Sequence, residues 1–299
     1  CFYDLIRVKK DINFIIKVYF INLIINQMKK SLTKIVDLCR VKKKPILAFN
    51  IQNLQQLDAL AISSKINNMN VIAQFSEKYF DNLIKNEIFS EIKKKYKNYY
   101  VFFFLDHCGN KKKINKAVKL KFDGIMYDGS NLKIDENIKN TNQIYKIIKN
   151  KKILLEAEIG VIYGQKDYSI KSDNQKLKLT DLKKFINEAK YHTLAIAAGN
   201  SHGLEKSDIN LKLYKYAIEY NKKIKLVFHG ASGVKISFLQ RISKLNFVKI
   251  NYSSILKKEM MRLILKYKNK NDLFDQIKFN EFIRDKLIIF FSKMLRKYK

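Results

Sequence analysis

The sequence predicts a parallel α/β fold, an eight-stranded (β/α)8 barrel or TIM barrel. Three observations predict it. Eight short apolar runs rich in β-forming residues occur between residues 46 and 251, each bounded by polar residues or glycine. Longer amphipathic segments separate these runs. Polar residues collect at the carboxyl ends of the runs, where barrel enzymes carry their active sites.

The eight predicted strands alternate with segments that have helical spacing. The strands are ILAFN (46–50), VIAQFS (71–76), VFFFLDH (101–107), GIMYDGS (124–130), LLEAEIG (154–160), LAIAAGNSHG (194–203), LVFHGASG (226–233) and FVKIN (247–251). Between the first two strands, NLQQLDALAISSKI (53–66) carries leucine and alanine at helical intervals. An open doubly wound sheet is the alternative. No G-x-G-x-x-G or G-x-x-x-x-G-K-[ST] loop follows the first strand, so nucleotide binding by such a loop is not supported.

Each predicted strand ends in polar residues. In strand order they are Asn50; Ser76; Asp106 and His107; Asp128; Glu158; His202; His229 and Ser232; and Asn251. The carboxyl ends of barrel strands open onto one mouth, so we expect these side chains to lie close together. A random scatter of polar residues would not prefer one end of eight strands, and the clustering therefore indicates an enzyme.

The domain organisation follows from length and composition. The chain has 299 residues, 47% of them hydrophobic, and no linker rich in Pro, Gly or Ser divides it, so we expect one domain over residues 28–299. Residues 1–27 precede the first methionine and carry no motif. Their apolar stretch is too short and too interrupted to span a bilayer, and no signal-peptide cleavage site follows it. We expect an amino-terminal extension that is not part of the fold, and no membrane partner.

The net charge of +33 invites a nucleic-acid interpretation. Only six of the 60 basic residues are arginines, whereas proteins that read bases or phosphates rely on arginine. The lysines are spread over the chain and accompany many Asn, Ile, Phe and Tyr residues, which is typical of an A/T-rich coding sequence. We expect no nucleic-acid partner, and a positive field that favours an anionic, phosphorylated substrate.

Three of the four histidines stand at the ends of predicted strands. They are His107 in FFFLDHCG, His202 in AIAAGNSHG and His229 in LVFHGASG. One such histidine alone is usually a packed core residue, but three imidazoles aimed at one mouth match the ligand set of a catalytic zinc with an open position. His192, in the helix-like stretch EAKYHT, is expected to be a surface or packing residue.

Carboxylates accompany these histidines. Asp106 precedes a predicted ligand, so its side chain should leave the metal; it could move a proton or orient a ligand, and a structural turn carboxylate is the alternative. Asp128 and Glu158 are expected near the same mouth, as outer partners of the ligands or as a second metal position. Glu156 lies two residues before Glu158 in the same predicted strand, so its side chain points to the same face. It is the alternative candidate for the role given to Glu158. Cys108 follows a predicted ligand directly and should point to the opposite face.

The cysteines and the glycine-rich turns complete the sequence evidence. Cys1, Cys39 and Cys108 have no C-x-x-C spacing, so neither a disulfide framework nor a structural zinc cluster is indicated, and a reducing cytoplasm fits.

Glycine-rich or serine-rich turns follow the last strands: GNSHG (199–203), HGASG (229–233) and NYSS (251–254). Their backbone N–H groups, with Ser232 and Ser254, could hold a phosphate at the usual position in a barrel.

Together these motifs resemble the class II, zinc-dependent fructose-bisphosphate aldolases and their tagatose-bisphosphate relatives. The similarity runs from about Met28 to the carboxyl end. The motifs, in the family's order and spacing, are AFN, LDHCG, MYDGS–NL…ENI, EAEIG…GQKD, AAGNSHG, HGASG and KINYSS. The resemblance implies a barrel that is dimeric or tetrameric and reversibly cleaves a ketose 1,6-bisphosphate to dihydroxyacetone phosphate and glyceraldehyde 3-phosphate.

The resemblance also implies a role for individual residues. His107, His202 and His229 would bind the zinc, Glu158 and Asp128 would flank it, and Asp106 would protonate the aldehyde-derived oxygen. The residues implied to line the substrate site are Asn50, Ser76, Gly203, Gly230, Ser232, Asn251, Ser253 and Ser254. A monovalent cation, Na⁺ or K⁺, would sit by the phosphate, and Arg284 is a candidate ligand for the second phosphate.

Two positions depart from the family's pattern. The loop that reads roughly GG-x-E-D in the family reads GQKD here, which places Lys166 where the family has the Glu that moves a substrate proton. Asp167 or a neighbouring Glu is the candidate to replace that base, and a slow enzyme is the alternative. Ser253 stands where the family usually has Asp after the last strand. These changes leave the predicted zinc ligands intact. They affect the predicted groups for proton abstraction and for contacts to the sugar hydroxyls.

Three functions are compatible with the sequence. A fructose-bisphosphate aldolase is the leading interpretation, and a tagatose-bisphosphate aldolase differs from it in one hydroxyl configuration. A basic binding protein on a decayed enzyme scaffold is the alternative from another class. The intact histidines and phosphate turns favour the enzyme, whereas Lys166 and Ser253 favour the decayed scaffold. Aldol cleavage that is lost on chelation, or salt-sensitive nucleic-acid binding without turnover, would separate the two.

Overall fold

The structure is a computed structural model that describes residues 30–83, 86–161, 177–199, 203, 209–268 and 275–299. The chain divides into two units, Cys1–Ser31 and Leu32–Lys299. The expected extension, residues 1–27, lies outside the described residues. Within the described ranges, no helix is both long and apolar enough to cross a membrane.

Eight parallel strands form a closed barrel in the order of the sequence. They are β1 Ile46–Asn50, β2 Val71–Ser76, β3 Val101–Cys108, β4 Gly124–Tyr127, β5 Leu154–Ile159, β6 Thr193–Ile196, β7 Leu226–Phe228 and β8 Phe247–Tyr252. β8 pairs with β1, with Ala48 opposite Asn251, and this pairing closes the barrel. The predicted (β/α)8 fold is confirmed, and the open doubly wound sheet is excluded.

Four strands end before the sequence runs that predicted them. The runs of β4, β5, β6 and β7 include polar or glycine residues at their ends, and these residues leave the sheet. Gly199 has a φ angle of 82° and Gly230 one of 73°, in the left-handed region that a strand does not use. The residues that follow these strands therefore form the loops of the barrel mouth.

Helices follow the strands around the barrel. They are α1 Leu32–Lys42, α2 Leu54–Asn67, α3 Glu77–Leu83, α4 Asn86–Lys95, α5 Lys111–Lys119, α6 Ile134–Ile148, α7 Leu179–Glu188, α8 Leu211–Tyr220, α9 Ile236–Ser243, α10 Ser254–Lys268 and α11 Gln276–Arg296. The predicted segment 53–66 is α2. Its start is capped by Asn53, whose side chain accepts a hydrogen bond from the backbone N–H of Gln56 at 2.9 Å. It ends at Asn67, and the residue that follows, Asn68, caps it with a φ angle of 51°.

The barrel interior is apolar towards the amino ends of the strands. Leu32 and Val36 of α1 belong to the same buried cluster as Phe102, Phe104 and Met126, so α1 closes that end of the barrel. A larger buried cluster fills the layer between the strands and the outer helices. Each large apolar side chain buried in this way stabilises the fold by roughly 1.5–3 kcal/mol.

The interior is polar towards the carboxyl ends of the strands. The buried polar side chains there are Gln74, Asp106, Glu156, Glu158, His229, Lys249 and Asn251. Burial of charged groups is unfavourable unless they are paired or bind an ion. Their concentration at one end of the barrel therefore indicates a site rather than packing.

Candidate metal centre

His107 is brought into the site by an irregularity at the end of β3. The register between β3 and β4 shifts between Leu105 and Cys108, and His107 has a φ angle of 45°. A non-glycine residue in this left-handed region is uncommon, although histidine is enriched there, and such strain concentrates at functional sites. The His107 Nδ1 atom lies 2.9 Å from Asp128 Oδ2. The Asp128 carboxylate is held in turn by the hydroxyl of Ser130 at 2.6 Å.

His229 enters the site from the residue after β7. Its side chain is fully buried, whereas that of His107 is 24% exposed at the mouth. The Nδ1 atom of His229 lies 3.0 Å from Nε2 of His107, and the two rings are nearly perpendicular, at 83°. On its other side, His229 Nε2 lies 2.9 Å from Glu156 Oε1. Gly230 then turns the chain away with its positive φ angle.

These contacts determine which nitrogens can bind a metal. In each imidazole, one nitrogen faces a carboxylate and is occupied by that contact. The other nitrogens, His107 Nε2 and His229 Nδ1, face each other across 3.0 Å. Two imidazole ligands of a tetrahedral zinc have nitrogens about 3.3 Å apart, so this separation is close to that of two ligands of one ion. A carboxylate on the outer nitrogen of each ligand is the usual arrangement around metal-binding histidine.

Glu158 supplies a third ligand atom. His107, Glu158 and His229 each offer one such atom, and the three atoms lie within 4.8 Å of one another. Glu158 Oε2 is buried, and it lies 3.3 Å from His107 Nδ1, an ion pair when the imidazole is protonated. The backbone carbonyl of Glu158 accepts a hydrogen bond from Asn137 Nδ2 at 2.9 Å, which fixes the end of β5. A buried carboxylate needs a cation beside it, and either a protonated imidazole or a metal ion meets that need.

The electrostatics of the centre follow from burial and from these pairs. Burial lowers the pKa of His107, but the charges of Asp106 and Glu158 and the hydrogen bond to Asp128 outweigh burial and raise the pKa well above its usual value. Burial acts to raise the pKa of Asp128, yet the hydrogen bond from His107 holds it well below the usual range. Burial raises the pKa of Glu158 to about 7, against the opposing charge of His107.

Asp106 lies beside the centre with its carboxylate held by two amides. Asn50 Nδ2 donates to Asp106 Oδ2 at 2.7 Å, and Gln74 Nε2 donates to Oδ1. These amides come from β1 and β2, so three neighbouring strands define the position of the carboxylate. Ser76, at the end of β2, is the register partner of Asp106.

The turns after β7 and β8 are tied together by Ser232. Its hydroxyl oxygen accepts hydrogen bonds from the backbone N–H of Ser253 at 3.3 Å and of Ile255 at 3.1 Å. Ser254 begins α10 at this point. Asn251 reaches the centre from β8, with its Nδ2 atom 3.1 Å from Nε2 of His229. The predicted substrate turns therefore border the histidine pair.

The other predicted site residues are placed less completely. Gly203 is described without its immediate neighbours and has a φ angle of 146°. Arg284, on α11, makes hydrogen bonds at 3.0 Å with Asp285 of the same helix, and its side chain is partly exposed. Three predicted residues, His202, Lys166 and Asp167, lie outside the described residues.

Two interior residues of the site, Lys249 and Gln74, were not predicted from the sequence. Lys249 Nζ lies 2.7 Å from Oε2 of Glu156, and the Glu156 carboxylate in turn contacts His229. Each lies two residues before a polar residue that was predicted to line the site, Asn251 in β8 or Ser76 in β2, so its side chain points to the same face of the strand. A lysine or glutamine of that parity in an apolar strand is the signal that could have found them.

Two residues next to predicted elements lie away from the centre. Cys108 packs in the outer hydrophobic cluster, and burial raises the pKa of its thiol to about 12. His192 lies just before β6 rather than in a helix, and its Nδ1 atom accepts a hydrogen bond from the backbone N–H of Leu155 at 2.9 Å. Both are structural residues in this fold.

The fold and the site define a (β/α)8-barrel protein with a histidine–carboxylate centre that can hold a metal ion. A family model described as fructose-bisphosphate aldolase class-II matches residues 30–296. The chain therefore belongs to the class II fructose-bisphosphate aldolase family, whose members are generally metal-dependent lyases. The resemblance identified from the sequence motifs is confirmed.

Individual relatives carry two different aldolase names. The 6-phospho-5-dehydro-2-deoxy-D-gluconate aldolase of Shouchella clausii is 29% identical over 219 residues, 69% of this chain and 72% of that protein. The fructose-bisphosphate aldolase of Ureaplasma parvum is 31% identical over 220 residues, 70% of this chain and 73% of that protein. The crystal structure of the YdjI aldolase from Escherichia coli K12 has a TM-score of 0.75 at 20% identity, over 90% of this chain and 96% of that one.

Proposed function

We propose that this protein is a zinc-dependent aldolase that reversibly cleaves fructose 1,6-bisphosphate to dihydroxyacetone phosphate and glyceraldehyde 3-phosphate. The observation that carries the proposal is the pair of facing nitrogens, His107 Nε2 and His229 Nδ1, 3.0 Å apart. The buried Glu158 carboxylate, whose ligand atom lies within 4.8 Å of those of both histidines, supports it. His202 is proposed as the third imidazole ligand, on its sequence motif alone.

The donor set fits zinc among the common metals. Imidazole nitrogen is a borderline ligand that suits zinc, and zinc also accepts carboxylate oxygen, whereas magnesium and calcium take oxygen ligands almost exclusively. When bound, the ion supplies a Lewis acid that polarises the substrate carbonyl. Asp128 and Glu156 hold the ring orientations of His107 and His229, which keeps the lone pairs directed at a common point.

Asp106 is proposed as the residue that exchanges a proton with the oxygen of the aldehyde product. In cleavage this oxygen loses a proton, and in the condensation direction it gains one. The two amide donors, Asn50 and Gln74, hold the carboxylate in one position, so that the oxygen atom reached by substrate is predetermined. The Asn50 side chain is itself a proposed contact to substrate.

The turns after β7 and β8 are proposed to bind a phosphate of the substrate. Gly230 allows the turn, and Ser232 fixes the start of α10 by accepting two backbone hydrogen bonds. The free N–H groups of a helix start favour an anion. Ser253 and Ser254 would border the same site, with a monovalent cation beside the phosphate. Ser76, Gly203 and Asn251 are proposed as further contacts, and Arg284 as a ligand of the second phosphate.

The proton at the dihydroxyacetone phosphate carbon needs a separate base. The family's loop glutamate is replaced by Lys166 here, and we propose that the neighbouring Asp167 takes the proton. An ordinary lysine is protonated at neutral pH and does not accept a proton. A carboxylate one position away reaches the substrate less favourably, so the enzyme is proposed to be slow.

A second candidate substrate is 6-phospho-5-dehydro-2-deoxy-D-gluconate. The observation that favours it is the name of the Shouchella clausii relative, which is nearly as similar to this chain as the Ureaplasma parvum fructose-bisphosphate aldolase is. Tagatose 1,6-bisphosphate remains the third candidate, because it differs from the fructose substrate in one hydroxyl configuration. A basic binding protein on this scaffold is the alternative without catalysis.

The deciding experiment measures metal content and turnover of the full chain on the three sugar phosphates. We expect the highest kcat/KM on fructose 1,6-bisphosphate. Activity should be lost with EDTA and restored by zinc but not by magnesium. A higher kcat/KM on either other sugar would replace the substrate assignment. Absence of cleavage on all three, together with salt-sensitive nucleic-acid binding, would favour the binding protein.

Assembly and location are part of the same proposal. We propose a homodimer or homotetramer in a reducing cytoplasm, with no nucleic-acid or membrane partner. The free thiols of Cys39 and Cys108 support the reducing compartment. Light scattering of the purified chain would give the assembly directly.

A further inference from the structure

The pairing of β4 with β5 ends just before the two carboxylates that flank His107. The last register pair of these strands precedes Asp128 and Glu158. Neighbouring carbonyls of a strand point to opposite edges. The Ile159 carbonyl accepts a hydrogen bond from the backbone N–H of Ala197, on the β6 side, at 2.9 Å. The Glu158 carbonyl therefore faces β4, at a point where β4 has ended, and it needs another donor.

Asn137 supplies that donor from α6. Its side chain is 2% exposed, and its Nδ2 atom donates to the Glu158 carbonyl at 2.9 Å. A carbonyl oxygen only accepts hydrogen bonds, so the amide nitrogen faces Glu158 and Oδ1 faces away. Oδ1 accepts a hydrogen bond from the hydroxyl of Thr141, one helical turn further along α6, at 3.2 Å. The amide of Asn137 is therefore held in one orientation.

The same amide borders the loop that carries Asp128. Gly129 follows Asp128, and a Cβ atom on Gly129 would lie 2.8 Å from Cγ of Asn137. The glycine thus leaves room for the amide between the β4 loop and the end of β5. Asp128 Oδ2 lies 2.9 Å from His107 Nδ1, and Glu158 Oε2 lies 3.3 Å from the same atom. One buried side chain therefore contacts both segments whose carboxylates converge on His107.

We propose that Asn137 is a positioning residue that sets the separation of the Asp128 and Glu158 carboxylates. The proposal rests on the proposed function, because these carboxylates flank the proposed metal site. Without the amide, the Glu158 carbonyl would lose this donor in a buried position, and the end of β5 would shift to regain a partner. Such a shift would move the Glu158 carboxylate relative to Asp128. Metal sites tolerate displacements of only about 0.5 Å.

The test compares Asn137→Ala with a matched control, Asn67→Ala. Asn67 is also buried, at 4% exposure, and its Nδ2 atom donates to the backbone carbonyl of Ser63 at 2.8 Å. It is the last residue of α2. A helix that follows a barrel strand runs back to the amino ends of the strands, so Asn67 lies at the end opposite the mouth. Both variants should be less stable in urea, and only Asn137→Ala should change the metal centre.

Chelator competition gives the zinc dissociation constant of each folded protein. We expect it to rise about 10- to 100-fold in Asn137→Ala, the usual effect of losing an outer partner of a metal site, and to stay unchanged in Asn67→Ala. Wild-type zinc affinity in folded Asn137→Ala overturns the proposal. An equal rise in both variants also overturns it, because zinc affinity would then follow stability alone. Failure of the wild type itself to bind zinc would instead contradict the proposed function.

Hydrogen exchange of the metal-free protein, measured by mass spectrometry, tests the same link without zinc. Asn137→Ala should speed amide exchange in both segments that the amide contacts, residues 128–130 and 158–160. Asn67→Ala should leave exchange in these segments unchanged. Wild-type exchange of both segments in Asn137→Ala overturns the proposal, whether or not the wild type binds zinc.

A second variant, Thr141→Val, keeps the proposal falsifiable if Asn137→Ala does not fold. Valine has nearly the shape of threonine but cannot donate, so the Asn137 amide loses the hydrogen bond that fixes its orientation. The zinc dissociation constant should rise about 2- to 10-fold, the effect of one neutral hydrogen bond. An unchanged dissociation constant in Thr141→Val contradicts the proposal.

Discussion

The Nε2 atom of His107 and the Nδ1 atom of His229 lie 3.0 Å apart, although the two residues are separated by 122 positions in the chain. Each ring is backed by a carboxylate, Asp128 for His107 and Glu156 for His229. The barrel brings the two strand ends together, and the carboxylates direct the ring nitrogens. We therefore expect metal binding to depend on the imidazoles at this mouth.

Loss of a proposed imidazole ligand should abolish zinc binding. We expect the wild type to hold one zinc at the main site, and His202→Ala to lose the metal and nearly all activity, because a three-ligand site with one ligand missing rarely holds zinc in working geometry. Metal analysis after gel filtration is the measurement. His192→Asn is the matched control, since His192 is a packing residue, and it should keep its zinc. Full zinc content in His202→Ala would show that His202 is not a ligand.

Restoring the family's loop carboxylate should speed the reaction. A positioned general base contributes about 10²–10⁴-fold, and the sequence resemblance places Lys166 where the family carries that base. Lys166→Glu should therefore raise kcat at least several-fold without changing zinc content. If Lys166→Glu lowers kcat while Asp167→Ala has no effect, Lys166 is itself the catalytic group.

Gly129 should not tolerate a side chain. A Cβ atom at this position would overlap Oδ1 of Asn137 and lie 2.8 Å from its Cγ, and the same amide donates from Nδ2 to the Glu158 backbone. Gly129→Ala should displace Asn137, destabilise the fold by about 1–3 kcal/mol and weaken zinc binding. Gly109→Ala is the control, because its Cβ would meet Asp128 at 3.4 Å, an ordinary contact. Equal stability of the two variants in urea unfolding would contradict the clash with Asn137.

His192 should make stability depend on pH. Burial and the charge of Lys225 lower its pKa to about 4. Between that value and the unfolded value of about 6.5, the unfolded chain binds more protons, so stability is complete above pH 6.5 and is lost as the pH falls towards 4. The contribution is on the order of 1–3 kcal/mol.

The measurement for His192 is urea unfolding of metal-free protein at pH 7.5 and pH 5. His192→Asn keeps an acceptor for the Leu155 N–H but cannot be protonated. The loss of stability on acidification should be smaller in this variant than in the wild type. The same loss in both proteins would show that His192 is not responsible.

Residues 1–27 should be dispensable. They carry no motif and precede the first predicted strand. A chain that starts at Met28 should keep its melting temperature and its activity. A fall in Tm of more than about 5 °C, roughly 1–2 kcal/mol for a domain of this size, would show that the segment contributes to stability.

The end of the barrel that carries the site was predictable, because it depends on the order of apolar and polar residues along each strand. Apolar runs of strand length followed by glycine and polar residues are visible without any tertiary information, and a closed parallel barrel places all such ends at one mouth. His107, His229, Asp128 and Glu158 do meet there. The sequence did not predict which of Glu156 and Glu158 contacts His229 and which contacts His107, because both side chains point to the same face of β5.

Strand alternation, period and composition are properties of neighbouring residues, so they determined the (β/α)8 fold and the end of the barrel that carries the site. The left-handed turn of His107, the contact of Lys249 with Glu156 and the amide pair on Asp106 were decided only by the tertiary structure. These features depend on strand register and on partners up to 93 positions apart in the chain. A buried charge has no preferred partner until barrel closure removes water and leaves one group within reach.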